Sequence, residues 1–535
     1  MAETSPPSGP VASGSLHRNF LNVGLMTTGS RVLGFVRDAL VAAVLGTGPA
    51  ADAYLAAFRF PNLFRRLFAE GAFNTAFIPL FAKHLEQDGM EPARLWAARI
   101  MSWLFVVVTV VTILVEIFMP WILPFFVPGF LDDPAKYDLT VLLTRICFPY
   151  LMCMSLMAAY AAILNGLNRF TASSFAPILL NIVMIAFMAP LVLWRNTDVQ
   201  TAIWIAIGTI AGGIAQLAMV YIAIRRAGFV PHIRWPKFDA DVQRFWILAI
   251  PAVIAGGITQ VNIFVGTIIA SSADSAIAYL YYADRLYQLP LGIIGIAIGT
   301  VLLPELSRHL KGGRDKEADA SQNQALLISM LLSMPAATAL IALAEPIVVV
   351  LFQRGAFTAT DSYETAQTMI WFSVGLPAYV LIRVLQPGFF AREDTRTPTI
   401  FAGISVVINI ALSLLLFPML KHVGIAIATS AAAWANAVLL GVWLGRRGHF
   451  RLSAEDWRRH GLIIAASIAM ALAVWGVGRV LASAMLPSAH LAIQIIALGF
   501  TVCVGVVIYF ALVHVTGAQR LDLLLRRLRR DPQKT

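Results

Sequence analysis

Apolar runs of 18 or more residues recur along the whole chain, each long enough to cross a hydrocarbon core of about 30 Å. They lack the strict alternation of a membrane β-barrel, so each must satisfy its own backbone hydrogen bonds as a helix. Spans are predicted at 20–46, 52–83, 97–128, 139–165, 173–194, 201–224 and 246–271 in the first part. They continue at 275–307, 324–351, 364–391, 398–419, 423–445, 460–483 and 490–516. The pattern predicts an all-α polytopic membrane protein of about fourteen transmembrane helices. An even number puts both termini on one side.

Loop charge chooses that side. The terminus-side loops carry Lys83 and Arg94, the group Arg225, Arg226, Arg234, Lys237 and Arg244, and then Arg308, Lys311, Arg314 and Lys316. Arg392, Arg396, Arg446, Arg447, Arg451, Arg458 and Arg459 follow on the same side, against Lys136, Arg195, Arg354 and Lys421 opposite. Basic loops stay in the cytoplasm, so both termini are expected there. The formal charge of +11 is therefore a topology signal, and nucleic-acid binding is not expected. Only 13% of residues are charged, where a soluble domain carries about a quarter. Cys147, Cys153 and Cys503 all fall in apolar spans and read as small packing residues.

The organisation expected is a disordered tail at 1–17, a first lobe at 18–226, a second at 227–447, and two extra spans at 448–516. A basic tail, 517–535, alternates leucine and arginine as an amphipathic helix on anionic lipid would. The end of the second span, Pro79-Leu80-Phe81-Ala82-Lys83-His84-Leu85, is echoed by Pro304-Glu305-Leu306-Ser307-Arg308-His309-Leu310 in the eighth. Six spans restore sidedness, so the halves read as parallel repeats, an arrangement in which transporters bind cargo between the copies.

Charged residues within spans are costly, about 2.5–3.5 kcal/mol each at the bilayer centre, and mark function. The first span holds Arg31, Arg37 and Asp38, with Arg31 and Asp38 on one face near Gly34. The second holds Asp52, Arg59, Asn62, Arg65, Arg66 and Glu70, with a kink expected at Pro61. Asn62, Arg66 and Glu70 repeat every four residues as a polar stripe, and Arg65 lies about 100° away. The eighth span adds Asp284 and Arg285. Internal ion pairing of Arg37 or Arg31 with Asp38 or Asp52, of Arg66 with Glu70, and of Asp284 with Arg285 accounts for part of the group. It leaves a surplus of guanidinium, whose planar fork suits an anionic, diphosphate-bearing cargo. Thr259, Gln260, Asn262, Thr267, Asn409, Ser413 and Thr429 read as hydrogen-bonding glue between helices. No catalytic constellation is visible, so a transporter is expected and not an enzyme.

These same residues carry a resemblance. Ser30-Arg31-Val32-Leu33-Gly34-Phe35-Val36-Arg37-Asp38 and Phe60-Pro61-Asn62-Leu63-Phe64-Arg65-Arg66-Leu67-Phe68-Ala69-Glu70-Gly71-Ala72-Phe73 resemble signatures of the MurJ (MviN) family of lipid II flippases. So do Tyr281-Tyr282-Ala283-Asp284-Arg285-Leu286, Leu351-Phe352-Gln353-Arg354-Gly355-Ala356-Phe357 and Pro387-Gly388-Phe389-Phe390-Ala391-Arg392. The resemblance implies the multidrug/oligosaccharidyl-lipid/polysaccharide exporter superfamily, two lobes about a cavity, and a role in peptidoglycan synthesis, cell-wall biogenesis and cell shape. It implies that lipid II, the undecaprenyl-diphosphate-linked disaccharide-pentapeptide, is the cargo, bound through Arg31, Arg37, Asp52, Arg65, Glu70 and Arg285, to which the polar stripe adds Asn62. Asp38, Arg66 and Asp284 would support them, and a groove at spans 13 and 14 would take the lipid tail. Some relatives hold sodium among carboxylates where this chain has Gly266 and Ser413, leaving Asn409 and Thr429 as oxygen ligands.

The expectation is therefore a bacterial inner-membrane flippase working by alternating access, with no cofactor and no sodium coupling. Membrane potential would drive it, at about 2.3 kcal/mol per charge per 100 mV. Its partners would be lipid II, membrane lipids and other cell-wall synthesis proteins. An exporter of another polyprenyl-linked oligosaccharide is the alternative. A membrane glycosyltransferase would need the acidic cluster Asp132, Asp133 and Asp138, and a non-transporting scaffold would make the in-span charges dispensable.

Overall fold

The computed structural model describes residues 13–66, 73–193, 197–232 and 235–519, and every regular element among them is helical. Contacts sort them into two compact units. The first contains α1 (Ser13–Leu45), α2 (Pro49–Phe64), α3 (Phe73–Gln87), α4 (Met90–Ile122), α5 (Pro134–Cys147), α6 (Tyr150–Gly166), α7 (Thr171–Met188), α8 (Asp198–Arg226) and most of α9 (Ala240–Ala270). The second contains α10 (Ala276–Lys311), α11 (Asp315–Ala342), α12 (Ala344–Phe352), α13 (Ala359–Phe390), α14 (Arg396–Arg446), α15 (Ala454–Val480), α16 (Ala482–Met485) and α17 (Leu491–Val515). Nine stretches among the described residues are long and apolar enough to cross a membrane, which makes this a multi-pass membrane protein. Length and hydropathy alone do not fix the number of crossings at fourteen.

The predicted spans correspond to helices, with informative differences. Residues 13–17, expected in an irregular tail, are the first turn of α1. The stretch 52–83 is two helices: α2, with Pro61 inside and a wider π turn at Arg65 and Arg66, and then α3. Residues 67–72, 1–12 and 520–535 lie outside the described residues, and with them Glu70 and most of the basic tail. Conversely, 398–446 is one continuous helical run broken at Lys421, whose φ of 47° is left-handed. Ser405 donates to the Ala432 carbonyl and Thr429 to Asn409, so the two halves lie antiparallel, as two spans should. Gly424 allows that reversal, because a Cβ there would sit 2.9 Å from the Leu416 carbonyl.

Helix starts follow local chemistry. Thr197 with Gln200, Thr358 with Asp361 and Ser453 with Asp456 form reciprocal capping boxes. Between α13 and α14, the backbone N–H and hydroxyl of Thr397 donate to Asp394, and Arg447 pairs with it at 2.6 Å. The Thr397 bonds, with Arg447 adding, hold the Asp394 carboxyl down at about 2.

The compact units divide within α9, after Phe264, whereas the lobes expected from the sequence meet between 226 and 227. The reason is packing: Phe245 meets Phe73 at 5.7 Å and Phe264 meets Phe126 at 4.5 Å, which binds most of α9 to the first unit. Nor do residues 448–516 stand apart. Ile463, Met470 and Val474 of α15 and Tyr509 and Val513 of α17 share one core with Leu327 and Leu331 of α11.

The short linker Gly46–Gly48 belongs to the second unit. Thr47 donates to Asp361 and the Tyr282 hydroxyl to the Gly46 carbonyl. Gly46 has φ 64°, and a Cβ on it would lie 2.6 Å from the Ala356 carbonyl oxygen. Gly46→Ala should therefore lower stability by about 1–3 kcal/mol, since strain and clash act together. Thermal unfolding of the purified variant checks this, and an unchanged midpoint would contradict the packing.

Candidate functional site

In the first unit, α1 runs against α7, and one side chain of α7 organises the contact. Arg37, buried in mid-helix, donates through Nε and Nη2 to Asp38 and through Nη1 to Asn181 Oδ1 at 3.1 Å. Asn181 donates in turn to the Ser30 carbonyl at 3.0 Å. Asp38 is thus held by its neighbour Arg37, while Arg31, expected to share its face, is half-buried one turn or more away. Gly34 is not what lets α7 approach, because a Cβ there would make an ordinary 3.5 Å contact with Asn181. Reading in-span charges alone passed over Asn181, whose neutral amide was the only sequence signal.

Asp52 has a lysine partner that the sequence reading did not consider. It is fully buried, and Lys136 Nζ lies 2.9 Å from its carboxylate. Lys136, counted among loop charges, is itself buried, with its ammonium 4.1 Å from the centre of the Phe130 ring. Asp133 caps α5 by accepting from the Lys136 backbone, which fixes the lysine at the helix start. One member of the acidic cluster weighed for a glycosyltransferase thus has a structural use.

Further along α2, Asn62 accepts from Arg65 Nε at 3.1 Å and donates to the Phe58 carbonyl. Asn62 thus orients Arg65, while Arg66, its neighbour in the expected stripe, is exposed.

In the second unit, Arg285 lies over the Tyr281 ring at 4.8 Å and donates to its hydroxyl at 3.3 Å. Asp284 accepts from Gln288, one turn on. Arg383 of α13 is a further in-span guanidinium that the sequence inventory omitted, although its run Tyr379-Val380-Leu381-Ile382-Arg383-Val384-Leu385 marks it plainly. It packs against Gly295, where a Cβ would come within 2.7 Å of its Cδ.

Asn409, Ser413 and Thr429 do meet: both hydroxyls lie within 3.4 Å of the Asn409 Oδ1. The set supplies neutral oxygens only. Among the described residues no group of three or more His, Cys, Asp or Glu is placed to hold a metal. An apolar cavity of about 360 Å³ lies between α11 and α15, lined by Ile341, Ala342, Ile468, Leu472 and Trp475 among others. It involves one of the two helices expected to form a tail groove.

Two helical units built largely from long apolar helices define a polytopic membrane-protein architecture. The fold resembles an inward-facing multidrug-resistance MATE transporter of the MOP superfamily, with TM-score 0.65 at 14% identity, covering 78% of this chain and 94% of that one. A family-wide sequence model described as lipid II flippase MurJ matches residues 41–513. A probable lipid II flippase MurJ of Rhizobium tropici is 44% identical over 96% of this chain and 97% of its own length. A lipid II flippase MurJ of Burkholderia cenocepacia is 33% identical over 85% of this chain and 89% of its own. A solved lipid II flippase MurJ in an inward closed conformation superimposes with TM-score 0.75 at 25% identity, covering 94% of this chain and 99% of that one. The chain belongs to the lipid II flippase MurJ family.

Proposed function

We propose that this chain translocates lipid II from the cytoplasmic to the periplasmic leaflet of the bacterial inner membrane, by alternating access and with both termini cytoplasmic. The observation that carries the proposal is 44% identity, over nearly the whole length of both chains, to a protein named for that activity. The physical reading agrees with it. Arg31, Arg37, Arg65 and Arg285 lie on membrane helices, and a diphosphate supplies the oxygens their guanidinium groups take in pairs. Asn62 orients Arg65, while Asp38 and Asn181 together fix the Arg37 guanidinium in place. Asp38, Arg66 and Asp284 act as supports, Glu70 belongs to the same set by its place in the sequence motif, and Asp52 acts through Lys136. The tail rides on the apolar faces of α15 and α17.

The driving force in this reading is the membrane potential. A cargo with about two negative charges gains roughly 5 kcal/mol from 100 mV, negative inside. Asn409 and Thr429, with no carboxylate beside them in the set, make a poor sodium site. Proteoliposomes containing lipid II, with potential and sodium varied independently, test this directly. Translocation is expected to follow the potential and to persist when potassium replaces sodium. No translocation of lipid II would overturn the function, and strict dependence on sodium would overturn the driving force. Association with other cell-wall synthesis proteins fits the pathway.

A further inference from the structure

The linker joining α8 to α9 is anchored at both ends, and Trp235 and Phe238 are turned outward near its second anchor. At its start Phe229 is buried, its ring 5.6 Å from Phe81 and edge-on. At its end Asp239 pairs with Arg99 of α4 at 2.7 Å, and Asp241 lies 3.8 Å from the same guanidinium. One turn along α4, the Trp103 indole N–H donates to the Lys237 carbonyl at 3.0 Å, and its ring meets Phe238 edge-on at 5.8 Å. Trp235 is nonetheless 89% exposed and Phe238 64% exposed. Large aromatic groups held outward by a fixed backbone mark an interaction surface.

The charges around them identify the partner. Arg225, Arg226, Lys237 and Arg244 are all exposed, whereas Asp239 of the linker and Asp241 in the first turn of α9 face Arg99. The uncompensated charge is positive and surrounds two aromatic rings. Tryptophan beside lysine and arginine is the pairing that lies at the headgroup level of an anionic leaflet.

We infer that this linker is a docking surface for anionic phospholipid headgroups. Trp235 and Phe238 sit among the upper acyl carbons, and the basic side chains contact the phosphates. The test uses the full-length chain in nanodiscs, carrying Trp235→Cys and Cys503→Ala, with bimane attached at position 235; Cys147 and Cys153 are buried and remain. Bromine is placed on the acyl chains of either phosphatidylglycerol or phosphatidylcholine at equal mole fraction. Brominated phosphatidylglycerol is expected to quench about twofold more strongly, a preference that Arg226→Gln, Lys237→Gln and Arg244→Gln together should remove. Equal quenching by the two lipids would overturn the inference. So would a label open to aqueous iodide and untouched by either lipid, the result expected if the patch docks a soluble protein. The same label at Phe238→Cys provides a second, independent reading.

Discussion

Arg285→Ala should lower lipid II translocation in proteoliposomes by about a hundredfold while leaving the protein inserted and monodisperse. Truncating one member of a desolvated charge pair costs about 2–5 kcal/mol, and each 1.4 kcal/mol is about tenfold. Arg285 stacks on the Tyr281 ring and donates to its hydroxyl, both on its own helix, and the inserted, monodisperse fraction measures whether the fold tolerates the change. Arg285→Lys keeps the charge but loses the fork, so it should recover only part of the rate. The same reasoning applies to Arg31, which is half-buried on α1. Normal transport by both Arg31→Ala and Arg285→Ala would end the arginine-cradle account.

The second large effect falls on stability. Lys136→Met should destabilise the protein by about 3–5 kcal/mol, because it breaks a buried ion pair from one side. Asp52→Asn combined with Lys136→Met should recover most of that loss, since removing both charges also removes their desolvation cost. Thermal unfolding of the two single variants and the double variant forms a cycle that isolates the coupling. Additive losses would mean that the pair is not a unit. Flipping by the refolded double variant is informative too. A stable but inactive protein would give the Asp52 charge a part in transport, and full activity would make the pair purely structural.

Much of this protein was legible in one dimension. Hydropathy predicted spans that coincide with the helices, down to the two halves of α14, because a membrane helix must carry its apolar surface and its backbone bonding within one continuous segment. The motifs around Arg31, Arg65 and Arg285 pointed to the family, and residues 41–513 bear that out. What periodicity misjudged were partners. It counted Lys136 among loop charges, and it overlooked Asn181 and Arg383. A neutral amide on an apolar helix carries no hydropathy signal, and a lysine at a helix start looks the same whether it faces water or a buried aspartate.

The buried pair joins α2 to α5 across 84 residues of sequence, and the Arg37–Asn181 bond joins α1 to α7 across 144. Sequence by itself determined what must lie in lipid, which residues are too costly to be there without purpose, and the kind of anion they suit. These follow from transfer free energy and local geometry, which each segment expresses alone. Only the tertiary structure decided which charges neutralise one another and which are merely oriented. That depends on helices brought together by packing, at distances no spacing along the chain encodes.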